Sequence, residues 1–458
     1  MIKAEFRYRD IGILILIAGF VILWNLGTGS LLSWDEAVYA QVSKEMLRSN
    51  NYIDLTWAGK TWSDKPPLYM WMTVVFYKIF GIGEFAARLF SALCGIGTII
   101  VTYLLALKLY SRRAAFAASL ILASTLHFIW ASKVGMLDVA LTFFISLSLY
   151  WFIIGIERKI FLTLSALAFG AAFLTKGFGA LLIPIILTAY ILITGKIKVL
   201  RERALWAGLF IVLVLVGFWH FMAIIHYGKE FVAGYVTKHL FSRVGQALDG
   251  HTGTIFTYFK VISNKGRPWG VAAFFIIPFA LWGFFKKRGK LEHALPLIWV
   301  FTTMIVFSAV RTKLNWYIVP IYPAISMLIG WGMDKALNKK TIMVVVLCFI
   351  VSLSYLALGK HLFNLDYSHE TKALALFAKE KIPSKDRMYI FDDDPAIRFY
   401  FLDEGINANG VLTMTELLRE KDSYIVVNKK TLKTIEKSGV SIVKESPDFA
   451  IVRHLRPN

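Results

Sequence analysis

The sequence predicts an α-helical polytopic membrane protein with about 11 transmembrane helices, followed by a small α/β domain outside the membrane. Three observations carry that prediction. The first is composition: 57% of the 458 residues are hydrophobic and 18% charged, with a mean hydropathy of +0.60, too apolar for a soluble globule. The second is the length of the apolar runs, roughly 20 residues each, enough to cross about 30 Å of hydrocarbon. They fall at 11–29, 88–110, 114–132, 138–156, 160–175, 178–194, 204–225, 268–285, 293–310, 316–333 and 341–359. The third is an alternation of charge. Every second connection (the first ten residues, 111–113, 157–159, 195–203, 286–290 and 334–340) is short and basic, which places those connections in the cytoplasm.

Lys3, Arg7 and Arg9 precede the first run as they would a signal peptide. No small-residue cleavage site follows before Trp34, so the run is read as an uncleaved span. The apolar stretch 66–83 is different, because counting it as a span would invert every later loop. It is expected to lie in the outer leaflet as an interfacial helix, with Tyr69, Trp71, Phe76 and Tyr77 at the headgroup level. The connections 30–87 and 226–267 are then the long outer loops of a membrane domain spanning 1–359. The N-terminus is expected in the cytoplasm and the domain 360–458 outside it.

In that last domain the charge content rises and short alternating runs appear. RMYIFD, SYIVVN, VSIVKE and FAIVRH are expected as strands, and 369–381, 415–421 and 431–438 as helices. It has no Gly-rich phosphate loop, so no nucleotide is expected there. The net charge of +21 does not point to nucleic acid, since the basic residues are interleaved between apolar spans and suit anionic membrane lipids. Cys94 and Cys348 lie inside apolar runs, without disulfide or metal spacing.

The chemistry gathers in the outer segments. Asp35 would sit in the first turn of a helix over 36–48, at a membrane surface where a carboxylate is costly unless it serves a function. As a general base it could take the proton of an attacking hydroxyl. Ser33 and Glu36 fit a capping box, while Glu36 also stays a candidate catalytic carboxylate. Asp64-Lys65-Pro66-Pro67 is either a turn or a phosphate site, in which Lys65 binds the phosphate and Asp64 orients it or a metal. Asp138 opens a span, where it complements the helix dipole and supplies another carboxylate on the outer face. Lys133 and Lys176 read as snorkelling lysines or, with Lys65, Arg243, Arg311 and Lys313, as a set of cations converging on an anionic ligand. His239 and His251 are a weak metal signal, and Tyr317 reads as an interfacial anchor.

Taken together, SWDEAVYAQ, SDKPPLYMW, GMLDVALTFF, FLTKG, HLFSRVGQALDGHTG and RTKLNWYIVPIYP resemble the bacterial branch of the protein mannosyltransferase-like glycosyltransferases, of the GT-C class. Within that branch the chain is most similar to the aminoarabinose transferases that modify lipid A. The resemblance runs in order through residue 333. It implies an enzyme of the bacterial inner membrane that moves a sugar from a polyprenyl phosphate (undecaprenyl phosphate) donor to lipid A or another glycolipid or protein acceptor. It assigns Asp35 as base, Asp138 as a further essential carboxylate, and Lys65, Lys176, Arg243 and Lys313 to the lipid phosphate. Asp64, His251 and Tyr317 match positions that hold a divalent metal, zinc, in aminoarabinose transferases. That family has Glu at the position of Asp64 and adds a histidine for which His361 and His369 are the candidates here. The alternatives are a protein O-glycosyltransferase and, in another class, a lipid-linked sugar transporter or flippase. An oligosaccharyltransferase fits less well, since its Trp-Trp-Asp signature is absent.

Overall fold

The computed structural model describes residues 4–232, 234–235, 252–286, 293–336, 365–382, 387–391, 394–401, 408–409, 423–435 and 440–454. Helix α1 (Ala4–Leu23) stops short of the expected end at 29. The turn that closes it is held by two fully buried cations: Arg88 Nη1 donates to Leu26 O at 3.1 Å, and Lys133 Nζ donates to Trp24 O. Cations suit the carbonyl end of a helix, so Lys133, grouped by sequence with the outer ligand-binding cations, serves α1 instead. Near the other end of α1, just ahead of the apolar stretch, the Asp10 carboxylate accepts two 2.6 Å bonds from Arg112 and one of 2.7 Å from Tyr103. Burial pushes the Asp10 carboxyl up, but these bonds outweigh it and hold the group below the usual carboxylate range.

Helix α2 (Asp35–Ser49) covers the expected helix. After it, β1 (Thr56–Trp57) pairs antiparallel with β2 (Lys60–Thr61). The turn places Ala58 and Gly59 at φ 57° and 70°, and Glu45 secures it by accepting from Thr56 Oγ1 and from the Ala58 and Gly59 amides. Helix α3 (Leu68–Phe80) begins behind two prolines and ends at Gly81, φ 81°. Its 13 residues rise only about 20 Å, too short to cross the hydrocarbon.

Helix α4 (Glu84–Leu109) is followed by α5 (Arg112–Ala123) and α6 (Leu126–Lys133). These last two replace the single straight span expected at 114–132 and are bent by 61°. The hydroxyls of Ser124 and Thr125 donate to the carbonyls of Leu120 and Ile121 and compete with the helical ladder. Outside partners complete the break, with Leu126 N donating to Arg267 O and Trp269 Nε1 to Ser124 Oγ.

Helices α7 (Leu137–Gly155) and α8 (Ile160–Lys176) form an antiparallel pair in which Ser148 and Ser165 exchange hydroxyl-to-carbonyl bonds of 2.9 and 2.8 Å. Then come α9 (Leu182–Thr194) and α10 (Arg203–Phe231). Helix α10 runs parallel to α8: Thr163 Oγ1 donates to Ala204 O, Gly208 lies against Thr163 and Ala166, and Gly170 lies against Val212. The chain must therefore come back between them. The 35-residue apolar run Ile160–Thr194 is two legs, broken at Gly177 (φ 53°), and α9 is the return.

Beyond these lie α11 (Thr257–Lys265), α12 (Trp269–Lys286), α13 (Ala294–Ala309), a 3-10 turn over Asn315–Ile321 and α14 (Tyr322–Ala336). The runs long and apolar enough to cross a membrane, among the described residues, are Glu84–Leu109, Leu137–Gly155, Ile160–Thr194, Arg203–Lys229, Trp269–Lys286 and Asn315–Lys335, with the bent α5–α6 pair in addition. The span expected at 341–359 lies outside the described residues.

The chain divides into two compact units. One comprises Met1–Leu26, Trp62–Met72 and Arg88–Phe363; the other takes in Gly27–Thr61 and Thr73–Ala87 as well as Asn364–Asn458. The second unit contains α15 (His369–Lys381), β3 (Arg387–Ile390), α16 (Pro395–Phe401), β4 (Ala408–Asn409), β5 (Ser423–Asn428), α17 (Lys429–Ile435), β6 (Val440–Glu445) and β7 (Phe449–His454). All four expected strands are present. The strands β4 and the helix α16 are additions, and the helix expected at 415–421 lies outside the described residues. Sheet order is β4-β3-β5-β7-β6, parallel through β4, β3 and β5 and antiparallel from β5 to β7 to β6. Alternate residues of β5 enter opposite cores. Tyr424 and Val426 pack with Leu374 and Phe401, while Ile425 and Val427 pack with Leu432 and Ile435. A further core joins the N-terminal stretches to α16: Leu31, Ala37, Ala40, Tyr77 and Ala86 close on Ala396 and Phe399.

Candidate active site

In the first unit, Asp138 lies in the first turn of α7 and Lys176 is the last residue of α8. The α7–α8 pairing brings them together, and Lys176 Nζ forms an ion pair with Asp138 Oδ1. The two side chains are 13% and 4% exposed, so Lys176 is folded inward and does not snorkel. Its ammonium also sits 4.8 Å from the centre of the Tyr317 ring, a cation–π contact. The adjacent Gly177 permits close packing, since a Cβ there would meet the Tyr235 hydroxyl at 2.6 Å.

These groups line a cavity of about 290 Å³ together with Asp64, Lys65, Pro66 and an apolar wall that includes Phe178, Leu182, Ile185, Val306 and Phe307. Lys65 is nearly buried, its Nζ donating to the Asp64 carbonyl at 3.0 Å. Tyr235 is a member that no sequence signal marked. Its hydroxyl is buried without a hydrogen-bond partner among the described residues, and burial pushes its phenol up. A cavity lined by two lysines, an aspartate and a buried hydroxyl, with aliphatic and aromatic side chains around the rest, can accept an anionic head on an apolar tail.

Two expected members have structural partners. Lys313 does not line this cavity: its ammonium donates to the carbonyls of Phe307, Ser308 and Val310. Those bonds use all three of its N–H donors, making it a cap for α13 and correcting the phosphate-binding reading. Glu36, read as a catalytic candidate, is buried and its carboxylate accepts the Leu32 amide at 2.6 Å, so it serves the turn ahead of α2. The capping box is not formed either, as Ser33 Oγ donates to Asp394 Oδ2 at 2.8 Å. Arg243 and His251 lie outside the described residues.

Asp35, in the second unit, is the first residue of α2 and is half-buried. Its carboxylate makes no hydrogen bond or ion pair with any described residue. The residue before it, Trp34, is exposed and holds φ 71°, ψ −120°, a conformation that costs a side-chain-bearing residue about 1–3 kcal/mol. Such a position beside an unpaired carboxylate marks a place where local geometry has been kept against a cost.

Of the expected metal ligands, Asp64 and Tyr317 both line the cavity. Two oxygen donors do not by themselves make a zinc site, for which three protein ligands are the usual minimum. Among the described residues no three His, Cys, Asp or Glu side chains are grouped as a metal set.

Residues 64–220 match the family model of dolichyl-phosphate-mannose-protein mannosyltransferases. An uncharacterized protein of Aquifex aeolicus (strain VF5) is 30% identical over 353 residues, covering 76% of this chain and 69% of its own length. The undecaprenyl phosphate-alpha-4-amino-4-deoxy-L-arabinose arabinosyl transferase 2 of Proteus mirabilis (strain HI4320) is 28% identical over 359 residues, 73% of this chain. The chain spans 62% of the length of that transferase. Among solved structures, ArnT from Cupriavidus metallidurans bound to undecaprenyl phosphate has a TM-score of 0.80 at 21% identity, covering 98% of this chain and 99% of its own. That likeness is one of fold.

Proposed function

Because this chain belongs to the GT-C glycosyltransferases of the protein mannosyltransferase-like branch, we propose that it transfers a sugar from a polyprenyl phosphate carrier to lipid A or another envelope glycolipid. The observation that carries the reading is the cavity that Lys65, Lys176 and Tyr235 line together with Asp64 and a largely apolar wall. A lipid phosphate needs both halves of that lining. As the sugar leaves, negative charge develops on the phosphate oxygens, and pre-placed ammonium groups lower the energy of that state. Lys176 is paired with Asp138, and Lys65 lines the same cavity as a second ammonium.

The acceptor oxygen attacks the anomeric carbon, the bond from that carbon to the phosphate oxygen breaks, and polyprenyl phosphate departs as an anion. The acceptor proton goes to the Asp35 carboxylate, a contribution of roughly 10² to 10⁴ in rate. A single displacement inverts the anomeric centre; a product that keeps the donor configuration contradicts it. In this reading the chemistry takes place on the outer face of the membrane, which the short basic connections at 111–113, 157–159 and 195–203 support.

A second reading, protein O-glycosylation, draws support from the mannosyltransferase match over residues 64–220. The test is direct. Purified full-length protein is incubated with undecaprenyl phosphate-4-amino-4-deoxy-L-arabinose and either lipid A or envelope protein, and products are read by mass spectrometry. Sugar on lipid A supports the proposal and sugar on protein supports the second reading. The absence of any covalent product, with the donor still bound, points to a flippase and overturns both. Asp35→Asn should bind donor and form no product.

A further inference from the structure

We infer that the C-terminal segment of the chain holds Asp35 in its working position, with Ser33, Asp394 and Tyr400 as the positioning residues. The inference rests on the reading of Asp35 as the base. A carboxylate that must accept a proton cannot be fixed by hydrogen bonds to its own oxygens without losing basicity, and Asp35 has none from the described residues. Its position is therefore set by the backbone that leads into it, and that backbone passes through the left-handed Trp34.

Such a residue keeps its conformation only when its flanks are over-determined, and here each residue from 29 to 33 is tied down. Lys372 Nζ donates to Gly29 O at 2.7 Å. Ser30 donates its amide to Leu365 O and its hydroxyl to Asp366 Oδ1, and accepts the Ser368 amide. The Leu31 amide donates to Tyr400 Oη at 2.7 Å, and that hydroxyl in turn donates to Glu84 Oε1 at 3.0 Å. The Leu32 amide donates to Glu36. Ser33 Oγ donates to Asp394 Oδ2, while Asp394 Oδ1 accepts the Ala396 and Ile397 amides and caps α16. Except for Glu36, every one of these direct partners lies C-terminal to residue 364. On the far side of Asp35, the buried Lys44 of α2 donates to Phe399 O at 2.9 Å. Helix α16 thus grips the chain both before and after the carboxylate.

The test uses the full-length protein in detergent, with undecaprenyl phosphate-4-amino-4-deoxy-L-arabinose and lipid A as substrates. Amide exchange at residues 30–37 is read in the same preparations. Ser33→Ala and Asp394→Ala should lower kcat by about tenfold or more, the scale of one lost charge-assisted bond. They should leave the donor KM within about twofold and speed exchange at 30–37. Asp394→Asn keeps the oxygen that caps α16 and turns an amide N–H toward Ser33 Oγ, so it should recover most of kcat. Adding Trp34→Gly to Ser33→Ala should restore more activity than adding Trp34→Ala, because glycine adopts this φ without a Cβ penalty. If Ser33→Ala does not fold, Tyr400→Phe decides by the same readouts. Native kcat and native exchange in these variants, with Asp35→Asn inactive, overturn the positioning role alone. An active Asp35→Asn overturns it together with the assignment of the base.

Discussion

Lys176→Met should destabilise the protein by an amount the structure bounds. The change leaves the Asp138 carboxylate, 4% exposed, without its ammonium partner, which is itself 13% exposed. Screening by water, which makes surface pairs weak, is largely absent for such a pair. Removing one member of a buried pair costs about 3–5 kcal/mol. Asp138 lies in the first turn of α7, where the helix dipole offsets about 1 kcal/mol. The net loss is then about 2–4 kcal/mol, a shift of about 30- to 1000-fold in the unfolding equilibrium. SDS titration of the protein in mixed micelles, followed by far-UV circular dichroism, reads that shift. The double variant Asp138→Asn/Lys176→Met removes both charges and should recover most of the loss. If Lys176→Met is as stable as the native chain, or if the double variant loses as much as the two single losses added, the pair is not pre-organised as described.

Lys65→Met removes one of the two ammonium groups that line the cavity. It should weaken undecaprenyl phosphate binding by about 10- to 100-fold, measured by titration calorimetry, with little change in stability. Lys313→Met should do the opposite, lowering stability in the same SDS titration by about 1–3 kcal/mol through lost bonds to the carbonyls of α13, while binding undecaprenyl phosphate as the native chain does. Asp10 should contribute a pH-dependent term. Its carboxyl is held below the ordinary value in the folded state, so its stabilisation is present above the unfolded pKa of about 3.9 and is lost as pH falls through the folded value. Asp10→Asn should therefore be less stable near pH 7 and should lose less than the native chain on acidification below about pH 4, as read by acid unfolding.

What the sequence made legible was periodicity and local chemistry. Helix α2, the short α3 behind its prolines and strands β5, β6 and β7 follow from apolar spacing and turn residues alone. The placement of Asp138 in a first turn needed nothing more. Partners far along the chain were not legible. Lys133, Lys176 and Lys313 look alike as lysines at the ends of apolar runs, yet one answers the carbonyl of Trp24, one pairs with Asp138 and one caps α13. Which fate each meets depends on tertiary contacts that no local window contains. The break between α5 and α6 has the same origin. A Ser-Thr pair in an apolar run is compatible with a straight helix, and what bends it here is completed by Arg267 and Trp269. Tyr235 went unnoticed because a tyrosine in a polar outer loop carries no mark of the buried hydroxyl it becomes.

The discontinuous make-up of the second unit has a consequence for how the protein is made. Residues 27–49 leave the ribosome early, while Asp366, Lys372, Asp394 and Phe399, which satisfy their buried polar groups, follow 336 to 361 residues later. At roughly 5–20 residues per second, the interval is about 17–72 s. Through that time Lys44 and the Ser30 hydroxyl have neither of these partners, and the apolar side of α2 formed by Ala37 and Ala40 has no α16 to cover it. A nascent chain released before residue 394 has neither Asp394 nor Phe399 to close on the stretch around Asp35.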